Sequence, residues 1–259
     1  KKMRVITLNN ARGCENGRVR CSYCSIADLG INTGVPEHFW NTVRHYYEVY
    51  GITLFFEVYD SFTASPPYVE ALLATMPEDI EKLIQNQEIE FMVYARALGL
   101  LKKNNIQKLK KLGVTKVNIG LDSGDPQMLE AQRKNKTTDE TNILALKSLS
   151  DAGMSVHGSY IMGAPGETYA SVQHTVDHII ATLKEVKFST VEVSRLFPLA
   201  NSPIWDMMID FEQPKFYKSS DEINENLKKL NIHTPYDERV TVRDKYKNHD
   251  LINNEEIID

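Results

Sequence analysis

The sequence predicts an α/β fold: a partial (β/α)6 barrel of the TIM type, followed by a mostly polar carboxyl-terminal extension. Three observations carry the prediction. Short β-branched and aromatic runs alternate with amphipathic segments about six times, and such alternation implies strands paired in parallel through right-handed helical crossovers. A length of 259 residues is ample for one large core. The alternation ceases after Pro198, where the chain turns polar and proline-punctuated.

Taken in order, strands are expected at Arg4–Leu8, Thr53–Glu57, Glu90–Tyr94, Lys116–Gly120, Ser155–Met162 and Thr190–Ser194, each rich in Val, Ile, Phe or Tyr. Helices are expected at Pro36–Tyr50, Pro67–Asn86, Leu100–Leu112, Thr138–Ala152 and Ala170–Leu183. Their apolar residues fall three and four apart, as at Ile106, Leu109 and Leu112. Thr137 and Glu140 are spaced for a capping box, and Gly113 and Gly153 sit just past helix ends. Residues 1–205 then form the core barrel and 206–259 the extension, with one helix at Asp221–Leu230 among Pro203, Pro214 and Pro235. A chain that begins at its first strand leaves room for a further domain ahead of it.

With 42% hydrophobic and 25% charged residues, and no apolar run near the roughly 18 residues that span a bilayer, the chain reads as soluble with no membrane partner. The segment MRVITL enters a strand without a charged-then-apolar leader, so a reducing cytoplasm is expected. A net charge of -5 and a pI near 5.9 give no electrostatic footprint for general nucleic-acid binding, while leaving a tRNA or nucleotide substrate open.

All three cysteines, Cys14, Cys21 and Cys24, lie in RGCENGRVRCSYCS, residues 12–25. Three clustered thiols in a chain of this size are no disulfide framework. They follow the first expected strand, and in a β/α barrel that places them at the carboxyl-terminal face, where active sites of the fold lie. Thiolates suit zinc or iron–sulfur clusters. A closed zinc site would need a fourth ligand, for which His38 is the nearest candidate, and a zinc-stabilised binding protein is the corresponding reading. A four-iron cubane held by three cysteines would instead leave one iron open. The polar neighbours Arg12, Glu15, Asn16, Arg18 and Arg20 argue against three unligated core thiols.

The loop resembles the signature of radical S-adenosylmethionine (SAM) enzymes, C-x3-C-x2-C with an aromatic before the last cysteine. Tyr23 supplies the aromatic, and the first spacing is lengthened to C-x6-C. Further segments resemble that superfamily in order along residues 4–205. FFEVYDSFT, after the second strand, is similar to the acidic segment that holds the methionyl amino group, with Glu57 or Asp60 in that role. NIGLDSGDPQML resembles the ribose-contacting turn, Asp122 standing where a Glu is usual and Ser123 beside it, and Arg133 resembles the base that pairs the methionyl carboxylate. GSYIMGAPGET resembles a segment of the branch with cobalamin-dependent and methylthio-transferring members, in which Gly158 and Gly163 would admit the adenosyl group. VEVSRLFPLANSP resembles the sixth-strand segment near the adenine, with the Leu196 backbone as contact.

The resemblance implies a [4Fe-4S] cluster on Cys14, Cys21 and Cys24, with SAM on the open iron, reductive cleavage to a 5′-deoxyadenosyl radical, and hydrogen abstraction from a small-molecule or peptide substrate. A reductant such as flavodoxin or ferredoxin is implied as partner. The branch resemblance adds cobalamin as a further cofactor and a radical methyltransferase as the alternative activity. Three cysteines leave no thiolates for auxiliary clusters, which argues against methylthio transfer and multi-cluster peptide maturation. Tyr160, His157, Arg195 and Glu192 are candidates for the barrel mouth, of which strand alternation would turn half away.

Overall fold

A computed structural model describes residues 3–212, apart from 18, 29, 103, 135 and 187. Arg18, Pro214, Pro235 and the helix expected at Asp221–Leu230 lie outside the described residues. The chain runs β1 (Val5–Leu8), β2 (Ala11–Arg12), β3 (Asn32–Thr33), α1 (Pro36–Tyr50), β4 (Leu54–Glu57), α2 (Pro66–Ala74), α3 (Glu78–Gln85), β5 (Glu90–Ala95), α4 (Ala97–Leu100) and α5 (Asn105–Lys111). It continues through β6 (Val114–Asp122), α6 (Pro126–Ala131), α7 (Asp139–Asp151), β7 (Ser155–Met162), α8 (Tyr169–Leu183), β8 (Phe188–Arg195) and α9 (Pro203–Glu212). Six strands pair in the order β1-β4-β5-β6-β7-β8, every neighbour parallel. Sequence order and spatial order coincide, so each strand returns through a helix beside its predecessor, as a partial (β/α)6 barrel requires.

Strand alternation divides the sheet into two faces. On β5, Phe91, Val93 and Ala95 turn to the helices and join the core, while Met92 and Tyr94 turn to the concave side. The outer face is closed by aromatic packing. Phe91 stacks on Phe39 of α1 and Phe55 of β4 at ring-centroid distances of 5.8 and 5.5 Å, and Trp40 meets Phe39 edge-on at 4.9 Å. Trp40 is buried whole, yet its indole N–H donates to the Leu72 carbonyl at 3.0 Å, which removes the cost of an unpaired buried donor.

Local chemistry moves several expected boundaries. The helix expected at Pro67–Asn86 is two, α2 and α3, because Pro77 has no N–H for the ladder and its ring clashes with the preceding turn. The stretch expected as Leu100–Leu112 is likewise α4 and α5, divided where Asn104 takes left-handed backbone at φ 63°. The capping box belongs to Thr138 and Thr141, one residue beyond the expected Thr137–Glu140 pair: the Thr138 hydroxyl accepts from the Thr141 N–H at 3.2 Å and the Thr141 hydroxyl from the Thr138 N–H at 2.7 Å. A two-threonine box serves both amides, so α7 starts at Asp139, with the Glu140 carboxylate in its first turn.

Candidate active site

The cysteine loop grows from the carboxyl end of β1 and is pinched at its base. Ala11 and Arg12 pair antiparallel with Thr33 and Asn32, and the Gly34 N–H donates to the Asn10 carbonyl at 2.6 Å. Gly13 has φ 98°, and a Cβ there would lie 1.7 Å from the Gly30 carbonyl oxygen, so only glycine allows the two arms to cross so closely. Inside the loop, turns keep the thiols in place: the Gly17 N–H donates to the Cys14 carbonyl at 2.9 Å and the Cys24 N–H to the Cys21 carbonyl at 3.0 Å. The Asn16 side-chain amide donates to Cys21 Sγ at 3.3 Å and to the Arg133 carbonyl at 3.1 Å. Cys21 is buried, and Cys14 and Cys24 are partly exposed.

Contacts from several strand ends hold this loop, its base and the α6–α7 connection beside it. From beyond β4, Asp60 accepts from the Gly13 N–H at 2.8 Å with its side chain exposed at the rim. Glu57, nearly fully buried, accepts from the Asn10 N–H at 3.0 Å. From beyond β5, Arg96 donates to the Lys134 carbonyl at 2.8 Å. From the α6–α7 connection, the Gln132 carbonyl accepts from the Ser22 N–H at 2.9 Å. From beyond β8, the Ile204 N–H donates to the Ser22 carbonyl at 2.8 Å, and Arg20 donates to the Asn201 carbonyl at 2.5 Å.

Asp122 terminates β6 in left-handed backbone at φ 64°, which points its buried carboxylate at the buried ammonium of Lys134. Lys134 in turn donates to the Tyr23 hydroxyl at 3.3 Å. Ser123 turns away from the mouth: it shares a hydroxyl hydrogen bond of 3.0 Å with Thr175 of α8 and accepts from the Asp125 N–H. Arg133, also left-handed at φ 56°, extends an exposed side chain. Gly158 shares the helix-facing side of β7 with Val156 and Tyr160. Gly163, at φ 85°, donates its N–H to the Glu167 carboxylate, and the buried Leu196 donates its own to the Met162 carbonyl at 2.5 Å. Of the four mouth candidates on β7 and β8, His157 and Glu192 face the concave cavity, whereas the Tyr160 hydroxyl bonds His178 Nδ1 at 3.0 Å on the helical side. Arg195 stands at the end of β8 with its side chain beside Gly163.

Electrostatics at the mouth favour neutral forms. Burial, then the adjacent Glu15 charge, pushes the Cys14 thiol up to about 11, and burial also raises Cys24. Burial lifts Glu57 to about 7 against three backbone N–H donors that pull the other way. The Tyr23 hydroxyl is raised by burial first, then by the charges of Asp122 and Cys21. Several polar atoms are buried here without a hydrogen-bond partner among the described residues: Glu15 Oε1, Asn16 Oδ1, the Tyr59 hydroxyl, Arg96 Nε and the side-chain amide of Gln132. Sequence reasoning missed Arg96, Lys134, Asn16 and Gln132. The run QRKNK reads locally as a solvated turn, and only the long-range pairing with Asp122 and the cysteine loop buries part of it.

Three comparisons with known proteins bear on this site. The sequence model described as Radical SAM superfamily matches residues 9–179. An uncharacterized protein of Methanopyrus kandleri is 30% identical over 92 residues, which cover 36% of this chain and 17% of that protein. The fold is similar to the cobalamin-dependent S-adenosylmethionine radical enzyme OxsB with aqua-cobalamin bound, at 18% identity and TM-score 0.62, over 83% of this chain and 37% of OxsB. It is similar also to the radical S-adenosylmethionine methyltransferase TsrM of Kitasatospora setae, at 18% identity and TM-score 0.67, over 80% of this chain and 39% of TsrM. Coproporphyrinogen III oxidase HemN of Escherichia coli shares 12% identity at TM-score 0.54, over 89% of this chain and 52% of HemN. The chain thus spans well under half the length of OxsB or TsrM.

Proposed function

The chain belongs to the radical SAM superfamily, and on that premise we propose that its mouth holds a [4Fe-4S] cluster and SAM for hydrogen abstraction from a bound substrate. The observation that carries the proposal is the donor set: three soft thiols on one loop, braced by the neighbouring strand ends. Cys14, Cys21 and Cys24 would ligate three irons, and ligation would compensate for the upward push that burial gives Cys14 and Cys24. When bound, a reduced cluster would supply one electron to the SAM sulfonium, with cleavage of the C5′–S bond to methionine and a 5′-deoxyadenosyl radical.

The chain's own residues would bind and orient. Asp60, exposed at the rim beside the loop base, suits the methionyl ammonium. Glu57, turned into the loop backbone, would support that position from behind. Asp122 would meet the ribose, its turn fixed by Ser123 through Thr175 and its charge matched by Lys134. Arg133 has an exposed cation for the carboxylate while Asn16 fixes its backbone against the cysteine loop. Tyr23 would close the cluster side, and Gly158, Gly163 and Leu196 would supply backbone toward the adenosyl group. Residues 1–205 make the core in this reading and 206–259 an extension. A small molecule or peptide as substrate, a flavodoxin or ferredoxin as reductant, and a cytoplasmic location complete it. Among the described residues no helix is long and apolar enough to cross a membrane.

The fold's likeness to OxsB, a cobalamin-dependent enzyme, favours a second reading, a radical methyltransferase with cobalamin on a further domain. Sequencing the gene upstream of Lys1 separates the two, since an encoded cobalamin domain supports the second and its absence removes it. A zinc-stabilised binding protein is the third reading, with His38 on α1 as its candidate fourth ligand. Anaerobic turnover with reductant tests the main proposal: 5′-deoxyadenosine should accumulate, and none from a fully reconstituted, reducible cluster, across a panel of small-molecule and peptide candidates, would defeat it.

A further inference from the structure

The concave face of the sheet carries a second constellation, deeper than the cysteine loop. A cavity of about 570 Å³ is lined there by residues of β5 to β8. On one wall, His157 of β7 and Glu192 of β8 form a pair: His157 Nε2 stands 3.3 Å from Glu192 Oε2, and its Nδ1 is bonded to the Thr190 hydroxyl. The other Glu192 oxygen accepts from the Ser194 hydroxyl at 2.8 Å. Both oxygens are thus oriented, yet the carboxylate side chain keeps 57% exposure toward the cavity. Tyr94 of β5 also lines the cavity and is backed by Phe56 of β4, the two rings lying 5.1 Å apart and tilted by 47°. Tyr94 and Glu192 both line the space; burial raises the Tyr94 phenol first, and the Glu192 charge adds to it.

Two charged pairs stand on this face. At the floor, Lys116 is matched by Glu90 at 2.9 Å. Among the ion pairs of the described residues, Glu192 has His157 and no lysine or arginine. An aromatic face and an oriented carboxylate lining one cavity are suited to a flat ring that bears an N–H or ammonium donor on its edge or a short arm: the ring stacks, the cation meets both the carboxylate and the aromatic face, and an anion is repelled.

We propose that the lumen is a substrate subsite specific for a ring-bearing amine, with Tyr94, backed by Phe56, as the stacking face and the His157–Glu192 pair as the donor-reading wall. The assignment rests on the radical SAM reading for what would be done to that molecule, but its binding is separable. Tryptamine and indole-3-acetate carry the same ring with opposite charge and serve as probes of the full, cluster-reconstituted chain, followed by the ring resonances of His157. Tryptamine should shift those resonances saturably and indole-3-acetate should not. Glu192→Gln should weaken tryptamine by about tenfold or more, as loss of a charge-assisted contact does, and Tyr94→Leu by about fivefold. Both side chains face open cavity, so thermal melts should match the parent; Ser194→Ala, which frees one carboxylate oxygen, should weaken tryptamine by less. No shift with tryptamine, equal shifts with both probes, or affinity indifferent to Glu192→Gln would overturn the assignment. Iron content and 5′-deoxyadenosine formation in the same samples report on the mouth alone, so failure there with tryptamine still bound would count against the radical chemistry and not against this subsite.

Discussion

On the outer face of the sheet, Phe39, Trp40, Phe55 and Phe91 bury their rings against one another, and the Trp40 N–H among them is satisfied by a carbonyl. At the mouth, Glu15, Asn16, Tyr59, Arg96 and Gln132 each carry a buried polar atom without a hydrogen-bond partner among the described residues, and Asp122 and Arg133 take left-handed backbone. Each unpaired buried group costs roughly 1–3 kcal/mol, and each strained residue about as much. The aromatic cluster around Phe91 is therefore satisfied within the protein, whereas on the proposed reading the mouth would find partners in what it binds. On the proposed reading, stability and ligand chemistry lie in different parts of one sheet, and substitutions should separate them.

The largest separation is expected at the thiols. Cys14→Ala, Cys21→Ala and Cys24→Ala should each take iron content and 5′-deoxyadenosine formation to background while far-UV circular dichroism and melting stay near the parent. A collapse of secondary structure in all three would erase the distinction between the regions. The converse is Phe91→Ala, which empties the centre of the aromatic stack. It should cost about 3–5 kcal/mol in denaturant unfolding, with the folded fraction still taking up iron.

Glu57 sits on the border between the two regions and sharpens the comparison through pH. Its folded pKa of about 7 lies above the ordinary value of 4.5, so the folded chain binds this proton more tightly than the unfolded chain does. The stability contributed by the protonated form is full below about pH 4.5 and is lost as pH rises through about 7, a change on the order of 3 kcal/mol. Glu57→Gln should flatten that slope in unfolding measurements across the same window. The smallest effect belongs to the surface. Arg44 of α1 grips Asp79 of α3 with two hydrogen bonds of 2.7 and 2.8 Å, but both side chains are solvent-screened, and Arg44→Ala should cost no more than about 1 kcal/mol and leave iron uptake unchanged.

What could be read in advance follows the same division. The strand at Ser155–Met162 and the helix at Pro36–Tyr50 have the expected bounds, because apolar periodicity records burial against a neighbour of one kind, and burial is what those segments do. The break at Pro77 and the shift of the capping box by one residue turn on single-residue chemistry inside a window that periodicity averages over. At the mouth, the position of the cysteines followed from strand order alone. The burial of Lys134 did not: a lysine in a polar run gives no local sign of its partner, and Asp122 and Tyr23 reach it only once β6 and the cysteine loop are side by side. The His157–Glu192 pair was half visible, since alternation limits which strand residues face the lumen without saying which parity does.

The most direct measurement is iron and acid-labile sulfide content with electron paramagnetic resonance, on anaerobically reconstituted, dithionite-reduced protein with and without SAM. The account predicts about four irons and four sulfides per chain and a cubane signal that shifts when SAM is added, as an iron left open by Cys14, Cys21 and Cys24 requires. One zinc per chain with no iron or sulfide, or a cubane signal indifferent to SAM, would contradict it.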